Sequence, residues 1–269
     1  MPLYHILILS IIQGLTEFLP VSSSGHLVLT HHLMDQGSTD LCWEKNRLMD
    51  VAVHVGTLFS VLVYFHKDIF MMIGGVVRPQ SEGFSLSKNI IVASIPVIIA
   101  GFAIQQFQFS FLCLLETMAW MTLIFGVVLW WADKYEVGKE LNKMRTGQAL
   151  IVGFSQILAL IPGVSRSGIT MTSARFLGFS RVEAAKFSLL LSIVAISGAG
   201  VLNGYDLYET GNIEIGKDVL LAVILSFIAG WISIVAMMAW LSKASFKPFA
   251  IYRIILGLIL LGLIYTGTL

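Results

Sequence analysis

Pro162-Gly163-Val164-Ser165-Arg166-Ser167-Gly168 interrupts an apolar run that extends from about residue 148 to residue 178. Two helix breakers, two hydroxyls and a permanently charged guanidinium stand where an unbroken membrane helix would carry aliphatic side chains. An arginine at bilayer depth costs roughly 2.5 kcal/mol or more, so it lines a polar cavity and meets a partner there. The partner expected here is an anion. The half-helices on either side are too short to span alone, and such a break is tolerated only where protein or a wet cavity surrounds it.

The rest of the chain has the composition this reading needs. Its 269 residues are 57% hydrophobic and 12% charged, with a mean hydropathy of +0.85. That is more apolar surface than one soluble core uses, and it indicates a polytopic membrane protein. A net charge of +1 and a pI near 7.8 supply no basic field for nucleic acid. Cys42 and Cys113 lack metal-type spacing and read as apolar fillers. The apolar stretch from Leu3 to Leu19 has no Lys or Arg before Lys45, so the basic flank of a signal peptide is missing and the segment is expected to stay in the mature protein.

A second break resembles the first. Residues 3–34 are interrupted at Pro20-Val-Ser-Ser-Ser-Gly25, and aligning Ser22-Ser-Ser-Gly25 with Ser165-Arg-Ser-Gly168 brings Gln13 onto Gln156. Each broken region then precedes three stretches long enough to cross about 30 Å of hydrocarbon: roughly 48–65, 90–107 and 115–132, then 183–203, 218–241 and 249–266. The sequence therefore predicts an all-α polytopic membrane protein, an inverted-topology repeat with six transmembrane helices and two re-entrant helix-loop-helix elements. Residues 1–132 form the first repeat, 133–147 a linker and 148–269 the second, which is inverted because each half holds an odd number of spans. Ala184, Ser188 and Ser192 make a small-residue stripe suited to close helix packing.

Basic residues orient the chain. With an outside N-terminus and both breaks re-entrant, the side that holds the 66–89, 133–147 and 242–248 loops receives Lys67, Arg78, Lys88, Lys134, Lys139, Lys143, Arg145, Arg175, Arg181, Lys186, Lys243 and Lys247. The opposite side receives Lys45, Arg47 and Lys217. The basic loops are placed in the cytoplasm, and a 204–217 loop with Asp206, Glu209 and Glu214 faces outward.

The two breaks also hold the chemistry. Gln13 and Glu17 are four apart, on one face of a helix, and a buried carboxylate must be paired, protonated or on a metal. Ser22, Ser23, Ser24, Gly25 and His26 follow, and serine beside histidine suits a nucleophile and its base. Arg166 suits bidentate contacts to phosphate oxygens, with Ser165, Ser167 and the Gly168 amide completing an anion nest at the start of a half-helix. Phosphoryl transfer needs such donors, an in-line nucleophile and usually a divalent ion. His5, His31 and His32 read as solvated, Asp50 and His54 as an interfacial pair, and Arg253 as a side chain snorkelling from the last span to the cytoplasmic surface.

Gln13-Gly-Leu-Thr-Glu17-Phe-Leu-Pro-Val-Ser-Ser-Ser-Gly-His26 and Pro162-Gly-Val-Ser-Arg-Ser-Gly168 closely resemble the two signature motifs of the undecaprenyl-pyrophosphate phosphatases, the bacitracin-resistance family. The likeness continues through Asp50-Val-Ala-Val-His-Val-Gly-Thr57, Ile95-Pro96 and Phe249-Ala-Ile-Tyr-Arg253. It implies an integral-membrane hydrolase that converts undecaprenyl pyrophosphate to the monophosphate carrier of peptidoglycan synthesis. It further implies a multi-pass protein of the bacterial plasma (inner) membrane with its site open to the periplasmic or outer side, and bacitracin competing for the lipid substrate. A homodimer is compatible with the sequence and not specified by it. By the same resemblance Glu17, with Gln13, is associated with a divalent metal, Mg²⁺ or Ca²⁺; Ser23 and His26 take the serine and histidine roles, and Arg166 clamps phosphate. Two positions depart from the pattern: Gln13 stands where many members have glutamate, and His54 where relatives often have glutamine.

The mechanism expected from these residues has Ser23 attack the terminal phosphorus with His26 as base, or His26 or a water it activates attack directly. A transporter or flippase for a phosphorylated polyprenyl lipid is the alternative, since paired re-entrant segments suit a carrier. A carrier, however, needs anion contacts and no nucleophile.

Overall fold

The computed structural model describes residues 2–34, 47–107, 114–135, 138–210 and 213–267; Cys42 and Cys113 lie outside them. Among the described residues the chain forms α1 (Leu3–Thr16), α2 (Ser23–Met34), α3 (Arg47–Tyr64), α4 (His66–Gly75), α5 (Glu82–Phe107), α6 (Leu115–Ala132), α7 (Thr146–Ile157), α8 (Arg166–Phe176), α9 (Arg181–Thr210), α10 (Ile213–Leu241) and α11 (Lys247–Tyr265), and no strand. The first apolar run breaks between α1 and α2. The second breaks between α7 and α8, with a 3₁₀ turn at Leu158–Leu160.

Among the described residues, four helices are long and apolar enough to cross a membrane: Glu82–Ile104 within α5, α6, Gly216–Leu241 within α10, and α11. Only 28% to 33% of each apolar stretch is buried, so most of the surface is left facing outward. Ile99, Phe102, Trp131, Ile232 and Ile255 are exposed there, as contact with lipid requires. A fifth candidate pairs α3 with α4 across a 77° bend. The chain is a multi-pass, all-helical membrane protein.

The helix α9 is built the other way round. Ala184, Phe187, Ser188, Leu189, Leu190, Leu191 and Ser192 are fully buried, because α9 packs against α3, α5 and α8. All three residues of the small stripe therefore sit inside. The charges at its start are held by partners: Arg181 Nε donates to Asp133 Oδ1 at 2.6 Å, Lys186 Nζ lies 2.5 Å from Asp68 Oδ1, and Glu183 accepts from the Leu141 amide at 3.1 Å.

Two stretches expected as loops contain helix. Residues 66–89 hold α4 and the start of α5, and the 204–217 region is helical through Thr210 and again from Ile213. Polar residues such as Asp206 and Glu209 are as compatible with a solvated helical turn as with a loop, so composition did not mark the end of α9.

Long and short helices are exchanged between the halves. The short α1 rests on α10, and the short α7 rests on α5, while α11 lies along α6. Close approach depends on small residues. A Cβ on Gly56 of α3 would stand 2.3 Å from the Val223 carbonyl oxygen of α10, and one on Gly153 of α7 would stand 2.4 Å from the Ala93 carbonyl oxygen of α5. Beside Gly56, the Ser60 hydroxyl donates to the Phe227 carbonyl at 2.8 Å across the same interface. Gly56→Val forces α3 off α10, and we expect it to cost about 1–3 kcal/mol, read as a lower melting temperature in detergent.

Candidate active site

Each break is shaped by a serine in a strained backbone. Ser22 (φ 76°) and Ser165 (φ 72°) are the only non-glycine residues with positive φ among the described residues, and they occupy the aligned positions of the two motifs. Left-handed backbone costs a residue with a Cβ about 1 kcal/mol or more. Both hydroxyls cap the helix that follows: the Gly25 amide donates to Ser22 Oγ at 3.4 Å, and the Gly168 amide to Ser165 Oγ at 3.1 Å. Each also lies near the hydroxyl two residues on, Ser24 at 3.4 Å and Ser167 at 3.2 Å. The strain is thus tied to a cap at the start of α2 and of α8.

The capped ends meet at one carboxylate. Glu17 is only 6% exposed. Its Oε1 accepts from Arg166 Nη2 at 2.7 Å, and its Oε2 accepts from Ser23 Oγ at 2.6 Å and from Gln13 Nε2 at 2.9 Å. Ser23 opens α2 and Arg166 opens α8, so the positive ends of both half-helices converge on Glu17. Arg166 Nη1 donates to the Ser188 carbonyl at 3.1 Å, which positions the guanidinium from α9.

His26 lies one turn into α2 and does not bond Ser23. Its Nδ1 is 2.7 Å from the Ser22 carbonyl oxygen and its Nε2 is 2.6 Å from the Tyr252 hydroxyl. The partner of the Ser23 hydroxyl is Glu17. Ser167 binds the Leu19 carbonyl at 2.9 Å and so ties α8 to the first break.

Three residues outside the expected site belong to it or brace it. His54, expected at the interface, places Nε2 3.6 Å from Glu17 Oε2. Its Nδ1 sits 2.6 Å from the Asp50 carbonyl, an i, i+4 contact that turns the ring inward. His31, expected in solvent, has its Nε2 2.9 Å from Asp50 Oδ1. Arg253 does not snorkel. It is fully buried, donating through Nη2 to the Gly163 and Val164 carbonyls at 2.7 and 3.0 Å, through Nη1 to Pro20 at 3.4 Å and through Nε to Thr122 at 3.3 Å. A break leaves carbonyls without intrahelical donors, and five N–H groups in one plane are well matched to them. A Cβ on Gly168 would come within 2.7 Å of Arg253 Nη1, so glycine there makes room for the staple.

Among the described residues, no three His, Cys, Asp or Glu side chains gather as a metal set. One atom does fit a cation: Gln13 Oε1 is buried beside Glu17 without a hydrogen-bond partner. A hard divalent ion takes oxygen ligands, often one or two from protein and the rest from substrate phosphates and water. Gln13 and Glu17 match that share.

The family described as bacitracin resistance protein BacA matches residues 6–259. This chain belongs to that family. It is 41% identical over 276 residues to the undecaprenyl-diphosphatase of Ruegeria pomeroyi, covering 99% of this chain and 100% of that protein. It is 42% identical over 266 residues to the undecaprenyl-diphosphatase of Chromohalobacter salexigens, covering 96% and 97%, and 40% identical over 273 residues to undecaprenyl-diphosphatase 1 of Rhodospirillum rubrum, covering 99% and 97%. The matched range of the family contains both breaks, α9 and Arg253.

Arg253→Met keeps most of the volume and removes every donor to the five carbonyls, those of Pro20, Met121, Thr122, Gly163 and Val164. Each buried carbonyl left unpaired costs about 1–3 kcal/mol, so we expect a strongly lowered melting temperature together with loss of activity. Lys in the same place restores one donor point and recovers only part of the stability.

Proposed function

We propose that this chain is an undecaprenyl-diphosphatase, an integral-membrane hydrolase that releases inorganic phosphate from undecaprenyl pyrophosphate and leaves the lipid monophosphate. The observation that carries the reading is the Ser23 hydroxyl 2.6 Å from a carboxylate that a guanidinium also holds. Relatives of that name match over nearly the full length of the chain.

Chemistry follows from the hydrogen bonds. Glu17 takes the Ser23 proton as Oγ attacks the terminal phosphorus, and the bond to the bridging oxygen breaks with undecaprenyl phosphate leaving. Water then frees phosphate from Ser23: His26 Nε2 takes the proton of the attacking water, and Glu17 returns the proton it holds to the leaving Ser23 Oγ. Arg166 and the first amides of α2 and α8 are the donors for the developing charge on the phosphoryl oxygens. Direct attack by His26 or by a water it activates is the competing route. Gln13 Oε1 and Glu17 would hold a divalent ion, Mg²⁺ or Ca²⁺, which would supply charge neutralisation for the pyrophosphate when bound.

The architecture belongs to the same proposal. Six spans in two inverted repeats, 1–132 and 148–269 with 133–147 between them, are supported by the exchange in which α1 lies on α10 and α7 on α5. The equivalent strained serines support it as well. Both breaks are then re-entrant, and the site opens to the outer face of the bacterial plasma membrane, opposite the basic loops. Bacitracin competes there for the lipid pyrophosphate. A flippase needs donors for the anion and has no use for a serine hydroxyl held on a carboxylate, so the carrier reading is not favoured.

Purified protein in detergent should release phosphate from undecaprenyl pyrophosphate, EDTA should stop release and added Mg²⁺ or Ca²⁺ should restore it. Glu17→Ala should be inactive while folded; no release from folded wild-type protein with any metal would turn the reading to the carrier. Arg166→Ala should lose on the order of 10² to 10³ in rate, and a trapped phosphoenzyme should carry its label on Ser23.

A further inference from the structure

Tyr252 stands one turn into α11, outside both motifs, and its hydroxyl lies 2.6 Å from His26 Nε2. The two rings are nearly parallel, 12° apart with centroids at 5.7 Å. We infer that Tyr252 is the positioning residue of the His26 imidazole, fixing the ring and giving its Nε2 a partner whether or not it carries a proton. The inference rests on the phosphatase reading above and assigns a residue to that same site.

The hydrogen-bond inventory leads to it. The Ser22 carbonyl only accepts, so the proton of a neutral His26 ring sits on Nδ1, 2.7 Å away. Nε2 then presents a lone pair, and the Tyr252 hydroxyl donates to it. When His26 gains a proton, Nε2–H donates to the Tyr252 oxygen and the phenolic hydrogen turns away. Tyr252 is 44% exposed, so that turned hydrogen has room. A backbone carbonyl would serve only the charged ring, and an ammonium or guanidinium only the neutral one. A hydroxyl serves both, which is what a group that gains and loses a proton in each turnover requires.

Rigidity comes from the neighbouring residue. Arg253 pins α11 to the Pro20 carbonyl of the first break and to Gly163 and Val164 of the second. Tyr252 is therefore held at a set distance from both loops that build the site. On the other side, the Ser22 carbonyl that fixes Nδ1 is oriented by the strained turn at Ser22. His26 is clamped at both ring nitrogens by elements that themselves cannot shift independently.

Tyr252→Phe keeps the ring stack and deletes the hydroxyl. Two readouts on the full-length protein in detergent test it. One is phosphate release from undecaprenyl pyrophosphate, and the other is the rate at which diethyl pyrocarbonate modifies His26, followed by mass spectrometry. We expect kcat to fall about 10-fold or more with KM little changed, since outer partners of functional histidines are worth roughly 10- to 100-fold. His26 should be modified several-fold faster, because Nε2 has lost its cover. Adding Tyr252→Phe to His26→Gln should cost nothing further. An unchanged modification rate overturns the inference, as does a normal kcat in Tyr252→Phe or an equal additional loss on top of His26→Gln. The modification rate needs no turnover, so it reports on the contact even if wild-type protein releases no phosphate, and the two readings fail separately.

Discussion

A helix that stops inside an apolar layer leaves amides and carbonyls that water does not reach, and everything at the centre of this molecule answers that constraint. At the first break and the second, the amides behind the turn are met by Ser22 and Ser165, and the carbonyls before it by Ser167 and Arg253. Side-chain donors of Gln13, Ser23 and Arg166 then converge on Glu17. The breaks thus bring the positive starts of α2 and α8 together at one carboxylate.

Charge balance explains the Gln13 side chain. One carboxylate faces Arg166, with His54 at 3.6 Å. A glutamate at position 13 would add a second negative charge within hydrogen-bonding distance of the first, and the pair would then call for a further cation. With glutamine, the Nε2 donor supports Glu17 and the Oε1 acceptor stays available. Glutamine at this position leaves the cluster with one carboxylate rather than two and keeps the i, i+4 geometry toward Glu17.

Much of this was readable in the residues alone. Breakers and hydroxyls in apolar runs gave the broken helices, spacing by four put Gln13 and Glu17 on one face, and an arginine amid serines pointed to the polar cluster around Glu17. Arg253 lies close enough to its helix end to suggest that it reaches the surface; no sequence shows that five carbonyls from three separate elements converge beside it. Tyr252 and His54 were hidden for a related reason. Each reaches the site across a helix interface, α11 to α2 and α3 to α1, and pattern along one helix does not report what faces it on another. The adjacency of Ser23 and His26 suggested a pair, but the turn at Ser22 sends the two side chains to different partners.

The exchange of α1 onto α10 also sets an order of events in biosynthesis. Glu17 and Ser23 emerge from the ribosome first, yet the long helix that α1 rests on begins at Ile213. At translation rates of about 5–20 residues per second, α1 waits on the order of ten seconds or more for that helix. For most of that interval Glu17 lacks Arg166, and the first break has no guanidinium from Arg253 until α11 is made. The first broken element therefore gains its last partners only when α10 and α11 arrive, and the cluster around Glu17 is among the last parts of the molecule to be completed.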